Sequence, residues 1–217
     1  SGTTTIVAGS NTVVLDDGSN NFGTVAVTSA STATLVDTNA IDLGASTVTT
    51  LNVTAGGNIT DSGNLAVSGT STFTGANGTD IILDATNTFG TLAFATASGT
   101  LANVTINDSN AVDLAALTLT GSLSVTAGGN ITDSGTLVVP GTTTIVAGSN
   151  TVVLDDGSNN FGTVVVTSAS TATLVDTNAI DLGASTVTTL NVTAGGNITD
   201  SGTIVASGTT TIVAGSN

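Results

Sequence analysis

The 217-residue chain contains no Lys, Arg, His, Cys, Met, Trp or Tyr, and its formal charge at pH 7 is −15. Glu and Gln are missing as well, so all 15 acids are Asp and eleven residue types write the whole sequence. These absences remove the usual general acids, general bases and activated nucleophiles. Ser and Thr are abundant, but each needs a neighbouring base, and only Asp could serve. Paired carboxylates, as in glycoside hydrolysis, are the one catalytic arrangement the inventory permits. A non-catalytic protein without a cofactor is therefore expected. With no cation and only five aromatic rings, all Phe, the chain can neither neutralise phosphates nor stack bases. Nucleic acid is excluded as a direct partner, and an anionic membrane surface would repel the chain.

Without Cys there is no disulfide and no thiolate metal site. The mean hydropathy is positive, yet no apolar run approaches the roughly 18 residues of a spanning helix. An outer-membrane barrel would need aromatic girdles, and Trp and Tyr are absent. This segment is not expected to insert into a membrane. Disorder is also disfavoured, because 39% of the residues are hydrophobic, many of them β-branched, which disordered chains lack.

What is present is repetition. Residues 1–67 and 140–206 differ at six positions, and 68–139 is a diverged, slightly longer copy. A partial repeat, 207–217, restates the first eleven residues, SGTTTIVAGSN. The first residue is Ser, and both ends fall inside a repeat, so the sequence reads as a window on a longer tandem array. A shorter period lies within the long one. The tetrapeptide A-G-[SG]-N recurs at 8–11, 55–58, 127–130, 147–150, 194–197 and 214–217. Aligning the apolar residue two places before each such turn, with the weaker matches, gives Ile6, Val27, Val53, Phe73, Phe94, Val125, Ile145, Val166, Val192 and Ile212. Neighbours in this series are on the order of 20–30 residues apart, the length of one solenoid coil.

Leu51–Thr54, Leu117–Thr120 and Leu123–Thr126 alternate with period 2, as half-buried strands do. Asx- and Gly-rich turns such as Asp16–Asn21 separate the strands, and no capped amphipathic run of helical length appears. The reading is all-β. A chain of small β-sandwiches, one per long repeat, would also suit the turn spacing. The recurring step of about 20 residues favours a parallel β-helix, a β-solenoid of about ten coils whose inward Val, Ile, Leu and Phe stack from coil to coil. Residues 1–217 are expected to form a single continuous solenoid segment, with the extra residues of the middle repeat bulging from one turn.

The string from Asp42, DLGASTVTTLNVTAGGNITDSG, with SGTTTIVAGSN and FGTV, resembles the repeats of large bacterial exoproteins of the filamentous-haemagglutinin type. The resemblance extends over essentially the whole chain. It implies a right-handed β-helical shaft, secretion to the extracellular space or cell surface, and a part in adhesion and biofilm or matrix cohesion. The implied partners are neighbouring repeats, identical filaments, and surface glycans or other cells. A self-assembling extracellular fibre is the alternative, and an ice-binding solenoid a lesser one.

The most ligand-like pattern is D-[TS]-N-A-[IV]-D-L. It presents Asp37, Asn39 and Asp42, then Asp108, Asn110 and Asp113, then Asp176, Asn178 and Asp181. Oxygen donors at this spacing suit Ca²⁺, although the Gly and bidentate Glu of an EF-hand loop are missing. An Asx-stabilised turn whose Asp faces water explains the same residues and is preferred. Ice binding would need T-x-T at the same place in every coil, and Thr32-Ala33-Thr34 is read as out of register with the others. Phe22, Phe89 and Phe161 are expected to plug the coil interior or a corner, and Phe73 and Phe94 to fill core volume in the diverged repeat.

Overall fold

Alternation along the strands decides which residues enter the core. In Ser46–Ala55, Val48, Leu51, Val53 and Ala55 are buried, whereas Thr47, Asn52 and Thr54 point outward. The computed structural model describes residues 2–215, and among them every regular element is a strand. The protein is an all-β solenoid of stacked parallel strands. It divides at Ser109/Asn110 into two compact units.

In the first unit one face is a ladder of six parallel strands. It runs Thr3↔Thr24, Thr24↔Asp42, Asp42↔Thr60, Thr60↔Ile82 and Ile82↔Thr105. A second face runs Thr12↔Thr32, Thr32↔Thr50, Asn52↔Thr72 and Thr72↔Ala93. Inside, Ile41, Ile59, Ile81 and Val104 form one buried column, and Leu35, Val53 and Phe73 lie in another. The second unit repeats the arrangement through Asp113↔Thr132, Thr132↔Val153, Val152↔Ala172, Ala172↔Leu190 and Leu190↔Thr210. Each unit thus takes five coil steps along such a ladder, and the solenoid has about 11 turns, close to the ten read from the sequence. Inward side chains of interior coils are covered by the rungs above and below them, whereas Ile212 in the last strand stays exposed. The apolar surface lost contributes roughly 25 cal/mol per Å².

The registers correct the periodicity read from the sequence. Ile6 does stack on Val27, and Val53 on Phe73, which stacks in turn on Phe94. Val27 does not stack on Val53, because the residue beneath Val53 is Leu35, on the other face. The apparent step from Val27 to Val53 therefore joins two faces, and the true step there is shorter, from Leu35 to Val53. The same holds in the second unit, where Leu174, not Val166, pairs with Val192.

The A-G-x-N turns likewise occupy two different corners. Ala8–Asn11 lies against Ser29–Ser31 and uses a left-handed Gly9, with φ of 63°. Ala55–Asn58 lies against the corner 37–40 instead, with Gly56 N donating to Asp37 O and Gly57 N to Asn39 O, both at 2.9 Å. There glycine is required by approach, since a Cβ on Gly56 would collide with the carbonyl of Thr38. The last of these turns, at 214–217, extends outside the described residues.

The T-x-T pattern is not kept from coil to coil: Thr32-Ala33-Thr34 lies between Thr12-Val13-Val14 and Thr50-Leu51-Asn52, neither of which repeats it. The extra residues of the diverged repeat make an exposed corner at 97–99, and the coil step there lengthens, from Ile82 to Thr105, without interrupting the ladder. Phe73, Phe89 and Phe161 are buried as expected, the first two with their ring centroids 6.0 Å apart, edge to face. Phe22 and Phe94 are only half-buried.

Candidate functional site

Three polar arrangements recur where strands turn, and each links coils that are remote in sequence. The first is a buried carboxylate at a corner. Asp37 is 2% exposed, so the first Asp of the turn is buried on backbone donors and, contrary to the expectation from the sequence, does not face water. Its Oδ2 accepts from the Phe22 backbone N–H at 2.6 Å and its Oδ1 from the Asn39 N–H at 2.8 Å. Asp176 repeats this with Phe161 N at 2.6 Å and Asn178 N at 2.7 Å. Asp108 is buried and accepts from Phe89 N at 3.3 Å. Desolvation pushes the Asp176 carboxyl above its ordinary value, against the opposing pull of the two backbone donors. The Asp of D-[TS]-N-A therefore fixes the Phe of N-[NT]-F-G, a pairing that neither motif displays alone. Asn39, Asn110 and Asn178 are exposed in their turns.

The second arrangement is a carboxylate ringed by hydroxyls. Asp42 accepts from Thr24 Oγ1 at 2.9 Å, Ser62 Oγ at 2.6 Å and Thr60 Oγ1 at 3.3 Å. Asp113 accepts from Thr132 at 2.8 Å and Ser134 at 2.6 Å. Asp181 takes Ser201, Thr163 and Thr199. These hydroxyls, Ser201 foremost, hold the Asp181 carboxyl below the usual carboxylate range. The structure thus gives Asp37 and Asp42, and likewise Asp176 and Asp181, separate partners: backbone N–H groups for the first, hydroxyls of neighbouring coils for the second.

The third arrangement escaped the sequence reading. Asp61 Oδ2 accepts from Asn87 Nδ2 at 2.7 Å, and Asp61 Oδ1 from the N–H groups of Asp84 and Ala85 at 2.9 and 3.2 Å. Asn87, wholly buried, accepts the Leu65 N–H at 2.8 Å. In the second unit Asp133 and Asn159 do the same, with Asn159 Nδ2 at 2.6 Å from Asp133 and Leu137 N at 2.7 Å from Asn159 Oδ1. Burial pushes the Asp61 carboxyl up, and the Asn87 amide is the largest opposing influence. The only signal in the sequence is a fixed spacing between the Asp of I-T-D-S-G and an Asn before Phe, which recurs in both units.

With no basic residue in the chain, backbone N–H groups, amides and hydroxyls carry all the compensation of these charges. Among the described residues no three carboxylates gather as a metal site would require. Asn39 and Asp42 do share an open cleft of about 410 Å³ in the first unit with Phe22 and Thr24. A second cleft of about 410 Å³, in the second unit, is lined by Leu182, Leu190, Ile198 and Ile212. No described helix is long and apolar enough to cross a membrane.

The family model described as repeats of unknown function (DUF5649) matches residues 1–29, 30–96, 101–168 and 169–217. Its boundaries are offset from the repeats 1–67 and 68–139, as the phase of a tandem array allows. No curated protein and no solved structure matches the chain.

Proposed function

The chain belongs to this family of repeats of unknown function, and from that premise we propose that it is a non-catalytic stretch of shaft in a secreted or surface-attached bacterial exoprotein of the adhesin type. One observation carries the reading. Near-identical repeats are spent entirely on stacking coils: aliphatic columns inside, and Asp and Asn bridges between coils at the corners. Stacked repeats add length at constant cross-section, and each needs only its neighbours. The work of such a segment is reach and spacing, with surface glycans or other cells as partners of the whole. A charge of −15 keeps identical shafts soluble and apart. The deciding experiment is the mass of the intact, denatured polypeptide from its native source. A chain far larger than 20.7 kDa is expected. A subunit of that size that polymerises would replace the shaft by a self-assembling fibre.

A further inference from the structure

We propose that Asn77 is a latent site of self-modification, held unreactive by the corner 97–100 of the following coil and released when that corner lifts. The inference goes beyond the shaft reading and stands whether or not that reading does. Asn77-Gly78 is the one Asn-Gly step in the sequence and lies in the diverged repeat. Asn-Gly is the step at which side-chain amides are lost fastest, because glycine leaves the backbone nitrogen unshielded. Both residues are exposed, in the turn that follows the strand Leu65–Gly75. Gly78 has φ of 73°, a left-handed conformation that favours Gly.

The reaction needs only water. The Gly78 backbone nitrogen attacks Cγ of Asn77, and the bond from Cγ to Nδ2 breaks. The proton lost by the Gly78 nitrogen leaves with Nδ2 as ammonia, and the product is a five-membered succinimide. Water then opens that ring at either carbonyl. One product is Asp; the other is the isoaspartyl link, which routes the main chain through Cγ and lengthens it by one atom. Either adds a carboxylate to a chain already at −15.

One residue of the next coil restrains both reacting groups. The Gly78 N–H, which carries the nucleophile, donates to the Thr100 carbonyl at 2.8 Å. The Thr100 N–H in turn donates to Asn77 Oδ1 at 3.0 Å. The attacking nitrogen is thus tied to an acceptor outside the ring it would close, and Cγ cannot turn toward it without breaking the second bond. Gly99 completes the seat, since a Cβ there would collide with Asn77 Oδ1. The clamp itself is lightly held. Residues 97–99 are exposed, and 97–100 lie between the strands Ile81–Thr96 and Val104–Asp108 rather than in a ladder. Such a corner opens at lower free energy than the strands beside it. The rate at Asn77 is then the rate of the unclamped step multiplied by the fraction of time the corner is open. Modified chains record how often this coil has opened.

The test is ageing of the 217-residue chain in neutral buffer, with the products at position 77 followed by peptide mapping and enzymatic methylation of isoaspartate. A free peptide of residues 73–82 sets the unclamped rate. The folded chain is expected to convert at least about tenfold more slowly than the peptide. Gly99→Ala, which drives the corner off Asn77, should recover most of the peptide's rate. Hydrogen exchange at the Gly78 amide needs no variant: its protection should match the slowing at Asn77 within about threefold, because both report one opening. A folded chain that ages as fast as the peptide overturns the proposal, and so does a Gly78 amide that exchanges without protection. A Gly99→Ala chain that melts like the parent and ages no faster is the third overturning result. If Gly99→Ala does not fold, the match between exchange and ageing decides.

Discussion

Replacing Thr143 by Val exchanges a buried hydroxyl for a methyl in the middle of an aliphatic column. Thr143 is fully buried, stacked between Leu123 and Val164, and its Oγ1 has no hydrogen-bond partner. A hydroxyl withdrawn from water and left unpaired costs about 1–3 kcal/mol, and the added methyl contributes up to about 0.8 kcal/mol of transfer free energy. Volume and β-branching are almost unchanged, so overpacking costs little. With incomplete relief of the hydroxyl penalty, the net expectation is a gain of about 1–2 kcal/mol. Ser71, the other buried hydroxyl without a partner, lies between Leu51 and Leu92 in the first unit. Ser71→Ala is expected to gain less, about 1 kcal/mol, because no new apolar volume fills the column. The assay is thermal or urea unfolding followed by circular dichroism. In a unit of about 100 residues, 1 kcal/mol moves Tm by roughly 4–8 °C. Stability in a solenoid is shared with neighbouring coils, so a rise of about 2–8 °C for Thr143→Val is the expected range. A lower Tm, or no change in either variant, would refute the reasoning and show that both hydroxyls are satisfied.

The buried Asn bridge predicts the opposite sign. Asn159→Ala strips the Asp133 carboxylate of an amide donor and orphans the Leu137 N–H, and should cost about 2–4 kcal/mol in urea unfolding; a loss below about 0.5 kcal/mol would mean water replaces the amide. Acid should stabilise the fold at first. Asp61 and Asp176 have carboxyls raised by burial, so the native state binds protons more tightly than the unfolded one there, and stability is lost as pH rises through those raised values. Asp181, lowered and exposed, works the other way and weakly. With −15 to relieve and no base to charge, Tm is expected to rise as pH falls from 7 toward the ordinary carboxylate range of about 4; a falling Tm over that interval contradicts the assignment. Calcium is expected to leave the melting transition unmoved, since Asp37, Asp42 and their counterparts already accept from their own chain; a transition raised by Ca²⁺ and restored by EDTA would reinstate the metal reading. Gly56→Ala probes a corner rather than a core. The added Cβ would meet the Thr38 carbonyl of the coil beneath, so the corner must open, and a loss of more than about 1 kcal/mol is expected in the same unfolding assay. Gly18→Ala, with open space around its Cβ position, should be close to neutral and serves as the comparison.

Period-2 alternation, turn chemistry and an eleven-letter alphabet were enough to specify parallel coils with Val, Ile, Leu and Phe inside, because those are properties of residues and their near neighbours. The Asp of D-[TS]-N-A was legible as a turn former for the same reason. Which face a strand occupies was not legible. Thr-Thr-Thr-Ile-Val at 142–146 pairs with the strand at 163–168, on one face of the second unit, whereas the same letters at 209–213 bring Thr210–Val213 onto Leu190–Thr193, on another. Identical local sequence cannot distinguish the two sites, since inward and outward alternation is satisfied on either. The choice depends on the coil steps accumulated beforehand, which are shorter from Leu174 to Val192 than from Leu190 to Thr210. For the same reason the Asp61–Asn87 bridge and the hold of Thr100 on Asn77 emerge only when coils are stacked: they join residues remote in sequence whose proximity is fixed by the lengths of the corners between them.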